Sequence, residues 1–122
     1  MKILELDHVA LYVADTEKSI HFYGEILEWK SLPRPAFDFP GAWFSLGGNK
    51  QLHLLGARTE PLHEGTLGSR KNHFAIKVPD ILETEAFLRS KGLAFRGPKA
   101  RPDGIRQIFL QDPDGYWIEF NE

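Results

Sequence analysis

The 122-residue chain contains no cysteine. Disulfides, thiolate metal centres and a cysteine nucleophile are therefore excluded. Nothing in the composition calls for an oxidising compartment, and a reducing, cytoplasmic setting is expected. The chain also lacks an excess of either charge: 15 Lys and Arg stand against 17 Asp and Glu, a net charge of −2. That balance predicts no basic face and no nucleic-acid partner. No apolar run approaches the ~18 residues that span a bilayer, so no membrane partner is expected. The first residues carry Lys2, Glu5 and Asp7 rather than the apolar stretch of a signal peptide. A glycine-rich phosphate loop, a nucleophile elbow and a trustworthy Ser-His-Asp order are all missing.

What is present is a repeat. His8-Val9-Ala10-Leu11-Tyr12-Val13-Ala14-Asp15 returns as His73-Phe74-Ala75-Ile76-Lys77-Val78-Pro79-Asp80, and Phe22 and Phe87 keep the same spacing. Near the ends of the two halves, Leu52-His53-Leu54 corresponds to Ile118-Glu119-Phe120. With 42% hydrophobic and 26% charged residues, the length suits one small domain with a single core, built from two modules.

Each half reads as β-α-β-β-β. In the first, Leu4 to Val13 alternates as a strand does. Asp15 is placed to cap a helix from Thr16 to Leu27, with Ile20, Tyr23 and Leu27 on one face. Strands are expected near 29–32, 42–46 and 51–55, with Gly47-Gly48-Asn49-Lys50 turning between the last two. In the second, a strand over 72–78 leads to Asp80, which caps a helix from Ile81 to Lys91 that Gly92 stops. Strands follow near 93–96, 105–111 and 116–121, and Asp112-Pro113-Asp114-Gly115 carries a type I turn signature. Module one is thus 1–56, a Gly- and Pro-bearing linker is 57–71, and module two is 72–122. Two loops stand out, an aromatic one over 33–41 and a shorter counterpart over 97–104.

Strand alternation sorts the candidate site residues. Val9, Leu11 and Val13 suit the helix-covered side, which leaves His8 on the other. By the same parity His53, His73 and Glu119 project from the uncovered side of their strands. His53 and Glu119 are bracketed by large apolar residues, and His8 and His73 are each followed by one, where an imidazole or carboxylate has little structural use. Three imidazoles and one carboxylate at repeat-equivalent positions suit a divalent transition metal (Zn, Ni, Co, Fe or Mn) rather than Ca²⁺ or Mg²⁺. His21 is expected to face solvent from the first helix, and His63 falls in the linker. Trp117 shares the face of Glu119. Gln107 shares parity with Phe109 on a strand whose facing is open. Arg34, Phe37, Trp43, Gln107 and Trp117 are the expected pocket residues.

The opening LDHVALYVADTEKSIHFYGEILEW, the central NHFAIKV, the closing DPDGYWIEF, and the RPAFDFPGAW and LHLL segments together resemble the vicinal oxygen chelate superfamily over essentially the whole chain. That group includes glyoxalase I, fosfomycin-modifying thiol transferases, extradiol dioxygenases and bleomycin-resistance proteins, and the look is closest to small glyoxalase-I-like proteins. The resemblance implies an α+β fold in which two β-α-β-β-β modules form an incomplete barrel around a metal site. It places the ligands at His8, His53, His73 and Glu119. Bacterial glyoxalase I has glutamate where this chain has His53, which leaves Glu119 the sole carboxylate and the implied proton carrier. The implied function is a metal-dependent lyase or isomerase acting on a small substrate with vicinal oxygens, in a homodimer. The alternatives are a fosfomycin-type thiol transferase drawing on Arg34, Arg101 and Arg106, a small-ring dioxygenase, and a non-catalytic binder holding a flat hydrophobic molecule against Phe37, Trp43 and Trp117.

Overall fold

A computed structural model describes residues 1–62 and 72–122. They fall into two compact units, Met1–Leu62 and, in the second, residues 72–122. Each is a β-α-β-β-β module, and together they make an α+β chain of two open four-stranded sheets. His63 and most of the expected linker lie outside the described residues.

In the first unit β1 (His8–Tyr12) leads into α1 (Thr16–Ile20), and β2 (Ser31–Leu32), β3 (Gly41–Ser45) and β4 (Gln51–Leu55) follow. The sheet order is β1-β4-β3-β2, with β1 parallel to β4 and the remaining pairs antiparallel. Asp15 caps α1 by accepting from the Lys18 N–H at 3.0 Å. The expected single helix over 16–27 is not uniform, because His21–Ile26 is wound as a π-helix that Leu27 N–H closes onto the Phe22 carbonyl at 2.9 Å. Gly24 lies in this turn, and a Cβ there would stand 3.2 Å from the Phe44 ring. Glycine weakens the α-helical preference locally while letting the backbone approach that ring. The helical face also shifts: Ser19, Phe22, Tyr23 and Leu27 are buried, whereas Ile20 is only half-buried. The buried side chains share the core of this unit with Leu11, Val13, Phe44, Leu52 and Leu54, and the Tyr23 ring lies 6.1 Å from that of Phe44. The hairpin at 47–50 forms as expected, with Gly47 and Gly48 at φ +93° and +55°, a region glycine enters without a Cβ clash.

The second unit contains β5 (His73–Lys77), α2 (Ile81–Ser90), β6 (Phe95–Ala100), β7 (Arg106–Gln111) and β8 (Trp117–Asn121). Its order, β5-β8-β7-β6 with β5 parallel to β8, repeats the first. The core is Ile81, Leu88, Ile108, Leu110, Ile118 and Phe120. One expected loop is a strand instead: 97–100 continues β6, and the ladder with β7 takes up an irregularity between Arg96 and Lys99. A β-bulge absorbs the backbone of Gly97 and Pro98, residues that read as loop in a linear sequence. At the far hairpin, Asp112 is buried, and one carboxylate oxygen accepts from the Asp114 and Tyr116 N–H groups at 2.9 Å each. Among the described residues no helix is long and apolar enough to cross a membrane.

The start of α2 is held by two carboxylates. Asp80 accepts from the Leu82 and Glu83 N–H groups at 2.8 and 3.1 Å. Glu122 accepts from the Ile81 N–H at 2.9 Å and from Arg106 Nε at 2.5 Å. The backbone N–H of Ile81, followed by Arg106, lowers the Glu122 pKa below its ordinary 4.5. A carboxylate with a depressed folded-state pKa stabilises the fold above its unfolded value and loses that contribution as pH falls. Glu122→Gln is therefore expected to lower the melting temperature most near neutrality, and to converge with the parent as pH falls below about 4.5, so that its acid decline is shallower. Thermal denaturation followed across that range checks it, and an acid decline identical to the parent's would contradict it.

Candidate functional site

Each unit assembles one pair of the expected ligand residues, and the pairs differ in character. In the first unit, β1 and β4 run parallel with His8 opposite Gln51 and Ala10 opposite His53. The two imidazoles lie two positions apart on one sheet face and stack, centroids 4.1 Å apart and planes 16° from parallel. On its other face His53 stacks on Trp43, directly across from it on β3, at 4.1 Å and 6°. The column continues to Phe37 at 6.3 Å from Trp43, and Phe37 lies 5.2 Å from Phe39. The Arg34 guanidinium packs 4.9 Å from both phenyl rings and donates to the Phe39 carbonyl at 2.8 Å.

Hydrogen bonding orients both imidazoles. His8 Nδ1 lies 2.5 Å from an Asp7 carboxylate oxygen, and His53 Nε2 lies 2.8 Å from the Gln51 side-chain carbonyl. Those acceptors require the proton on the facing nitrogen, so a neutral His8 presents its lone pair at Nε2 and a neutral His53 at Nδ1. Burial, with the neighbouring charges of His8 and Arg34, lowers the His53 pKa below its ordinary 6.5 despite an opposing effect of Asp7. His53 is thus neutral at pH 7, the state in which imidazole serves as a ligand.

The second unit holds a carboxylate. Glu119 on β8 is 4% exposed. Its Oε2 lies 3.1 Å from His73 Nε2 on the parallel strand β5. Its Oε1 accepts from Gln107 Nε2 at 2.7 Å and from Asn121 Nδ2 at 2.9 Å. Phe109, opposite Glu119 on β7, packs edge-on against the His73 ring at 5.7 Å. Burial acts most strongly on Glu119 and raises its pKa. The amide donors of Asn121 and Gln107, with the charges of His73 and Arg101, outweigh burial and leave the pKa below its ordinary 4.5. The group is buried yet ionised, a combination that persists only where donors replace water.

The facing of Gln107, open from sequence, is settled by its bond to Glu119. Trp117 is the register partner of His73 and lies two residues before Glu119. Sequence reading passed over Asn121, Gln51, Asp7 and Phe39. Three of these had a readable signal: Asn121 and Gln51 sit two positions from a candidate ligand, on its strand face, and Asp7 adjoins His8. His21 is exposed on the first helix and pairs with Glu25 at 3.0 Å. The three arginines considered for phosphonate binding all have protein partners: Arg34 with Phe39, Arg101 with Asp103, and Arg106 with Glu122.

Two repeated modules, each pairing its first strand with its last, define a fold class shared with known proteins. The chain matches the family model of the Glyoxalase/Bleomycin resistance protein/Dioxygenase superfamily over residues 5–120. It belongs to that superfamily. It is 33% identical to a lactoylglutathione lyase of Neisseria meningitidis, over 96% of this chain and 89% of that protein. Among solved structures it resembles a glyoxalase family protein of Enterococcus faecalis, with TM-score 0.75, 29% identity, and 97% of each chain covered. It also resembles TnmS3, an antibiotic binding protein from a Streptomyces species, with TM-score 0.75, 26% identity, and 99% and 97% covered.

The donor set bears on the divalent metal that the resemblance implies. Metal–ligand bonds of about 2.0–2.2 Å, meeting at right or tetrahedral angles, hold neighbouring donor atoms roughly 2.8–3.6 Å apart. His73 Nε2 and Glu119 Oε2 have that spacing. His8 and His53 add two imidazoles whose lone-pair nitrogens are set by second partners, as metal-bound histidines commonly require. Among the described residues no three His, Asp or Glu side chains cluster, so each unit offers a pair rather than a finished cage. The donors fit a transition-metal ion in chemistry and, for His73 and Glu119, in spacing.

The His8 tautomer provides a check on the first pair. In metal-free protein the ¹⁵N shifts of His8 are expected to report a protonated Nδ1, and Asp7→Ala to move the population toward protonated Nε2. Equal populations in both proteins would contradict the Asp7 contact.

Proposed function

We propose that the chain is a metal-dependent, glyoxalase-I-like lyase or isomerase acting on a small α-oxo or thiohemiacetal substrate with neighbouring oxygens. The observation that carries the reading is Glu119: a buried carboxylate, kept ionised by two amides, with its other oxygen turned to an imidazole. Such a group stands as a carboxylate able to accept a proton from carbon, and its buried position beside an imidazole suits it to pass that proton between adjacent carbons. The residues proposed to hold a divalent transition metal are His73 and Glu119 in the second unit and His8 and His53 in the first, within a homodimer. A bound ion would supply Lewis acidity, easing the build-up of negative charge on the substrate's vicinal oxygens. The chain itself does the rest. Glu119 Oε2 accepts the proton as the substrate C–H bond breaks and returns it to the neighbouring carbon. His73 holds that oxygen in place, and the apolar flank of Phe109 limits water around the pair. Arg34, Phe37, Trp43, Gln107 and Trp117 remain the proposed substrate surroundings, with Arg34 acting through the aromatic rings it packs on. The thiol-transferase alternative would draw on Arg34, Arg101 and Arg106, each of which has a partner within the chain.

A non-catalytic binder is the second reading. The stacked column of Phe37, Trp43, His53 and His8 favours it, because flat rings suit further stacking, and a relative of similar fold is named an antibiotic binding protein.

Turnover of the methylglyoxal–glutathione hemithioacetal separates the two. The lyase reading expects activity that chelation abolishes and that Glu119→Gln lowers roughly 10²–10⁴-fold, the usual loss for a general base. His53→Glu, which restores a second carboxylate, is expected to raise it. Light scattering on the same preparation is expected to give twice the chain mass. Full turnover in Glu119→Gln would overturn the base assignment. Retention of a bound flat ligand after chelation, with no turnover, would favour the binder.

A further inference from the structure

We infer that Gln107 and Asn121 are positioning residues that confine the chemistry of Glu119 to one oxygen, Oε2. The inference rests on the proposed role of Glu119 as ligand and base. It stands on the geometry of the clamp. A carboxylate oxygen offers two in-plane lone-pair sites. At Oε1 both are occupied by N–H donors, Gln107 Nε2 at 2.7 Å and Asn121 Nδ2 at 2.9 Å. Neither amide nitrogen can accept a hydrogen bond, so a proton placed on Oε1 would meet two N–H groups head-on. An ion approaching Oε1 would have to displace both donors. Glu119 is 4% exposed, which leaves little water to replace them. Oε2 points instead to His73 Nε2 at 3.1 Å.

The sheet builds this asymmetry. Gln107 and Asn121 are register partners across β7 and β8. Asn121 follows Glu119 by two residues and so shares its face. The two amides therefore reach the carboxylate from adjoining strands and take the same oxygen. The combined effect of these donors in lowering the Glu119 pKa is consistent with an ionised group stabilised from one side.

The consequence is mechanistic. Two-oxygen chelation by Glu119 is disfavoured, and holding an ion competes with accepting a proton at one atom. In the proton transfer, the substrate C–H bond breaks, the electron pair stays with the substrate's carbon–oxygen unit, and an O–H bond forms at Oε2. The same proton then passes to the adjacent carbon, so no further reactant is consumed.

Isotope-edited infrared spectroscopy of metal-free protein labelled with ¹³C-glutamate tests the clamp, with Glu119→Gln used to assign the band. Two hydrogen bonds on one oxygen make the two C–O bonds unequal. The separation between antisymmetric and symmetric stretches of Glu119 is expected to exceed that of an exposed glutamate. It is expected to narrow in Gln107→Leu and in Asn121→Leu. If either leucine variant fails to fold by circular dichroism, Gln107→Met or Asn121→Ala takes its place, each losing the N–H donor without adding a charge or a metal ligand. Competition with a chelator for Zn²⁺ or Ni²⁺ is expected to show affinity about 10–100-fold weaker in each amide variant, the usual effect of removing a partner that orients a ligand. A Glu119 band unchanged in both amide variants overturns the clamp, whatever the metal content. A parent that takes up no metal while its band narrows in the variants upholds the clamp and removes the proposed ion.

Discussion

The constraint on which the rest of this structure depends is the parallel pairing of the first strand of each module with its last. Parallel strands need a crossover, and the helix of each module supplies it. That helix buries one sheet face, and strand alternation then commits the opposite face to whatever the sequence places there. In both modules the register is the same. The histidine that opens the first strand lies diagonally across from a second ligand-type residue on the last strand, two positions further along. A single backbone rule, used twice, produces His8 beside His53 and His73 beside Glu119.

The repeat makes the two backbones equivalent but gives the pairs different chemistry. In the first unit two imidazoles meet ring to ring, and Trp43 extends the stack toward the aromatic loop. In the second, an imidazole nitrogen meets a carboxylate oxygen, and two amides hold that carboxylate ionised in an apolar setting. Desolvating an unpaired carboxylate costs several kcal/mol, so the Gln107 and Asn121 donors are a condition for Glu119 being buried and charged at all. The proposed division follows from this: the first unit contributes imidazoles and flat surfaces, and the second contributes the proton carrier.

Much of the architecture was legible in the chain. The offset repeat, the alternation of Leu52-His53-Leu54 and Ile118-Glu119-Phe120, and the Asp15 and Asp80 caps are local signals tied to strand and helix periodicity. They gave the two-module fold and the facing of all four ligand-type residues. Three features were not legible. The π-helical turn at His21–Ile26 sets Gly24 against the Phe44 ring, a tertiary contact that no local sequence signal announces. The extension of β6 through Gly97 and Pro98 depends on a bulge against β7, which residues that read as breakers conceal. The role of Asn121 depends on the β7–β8 register, since only that pairing puts Gln107 and Asn121 on the same oxygen. The partners of Arg34, Arg101 and Arg106 were likewise not legible, because each depends on how the fold brings distant segments or loop residues together.

The central claim is that His73 and Glu119 form the donor pair of a divalent-metal centre. Elemental analysis of protein purified without a metal-affinity tag, comparing the parent with His73→Ala, tests it most directly. The account predicts about one transition-metal ion per chain in the parent and a large loss in the variant. A parent free of transition metal after exposure to Zn²⁺ and Ni²⁺, or a His73→Ala protein that retains the full complement, would contradict it.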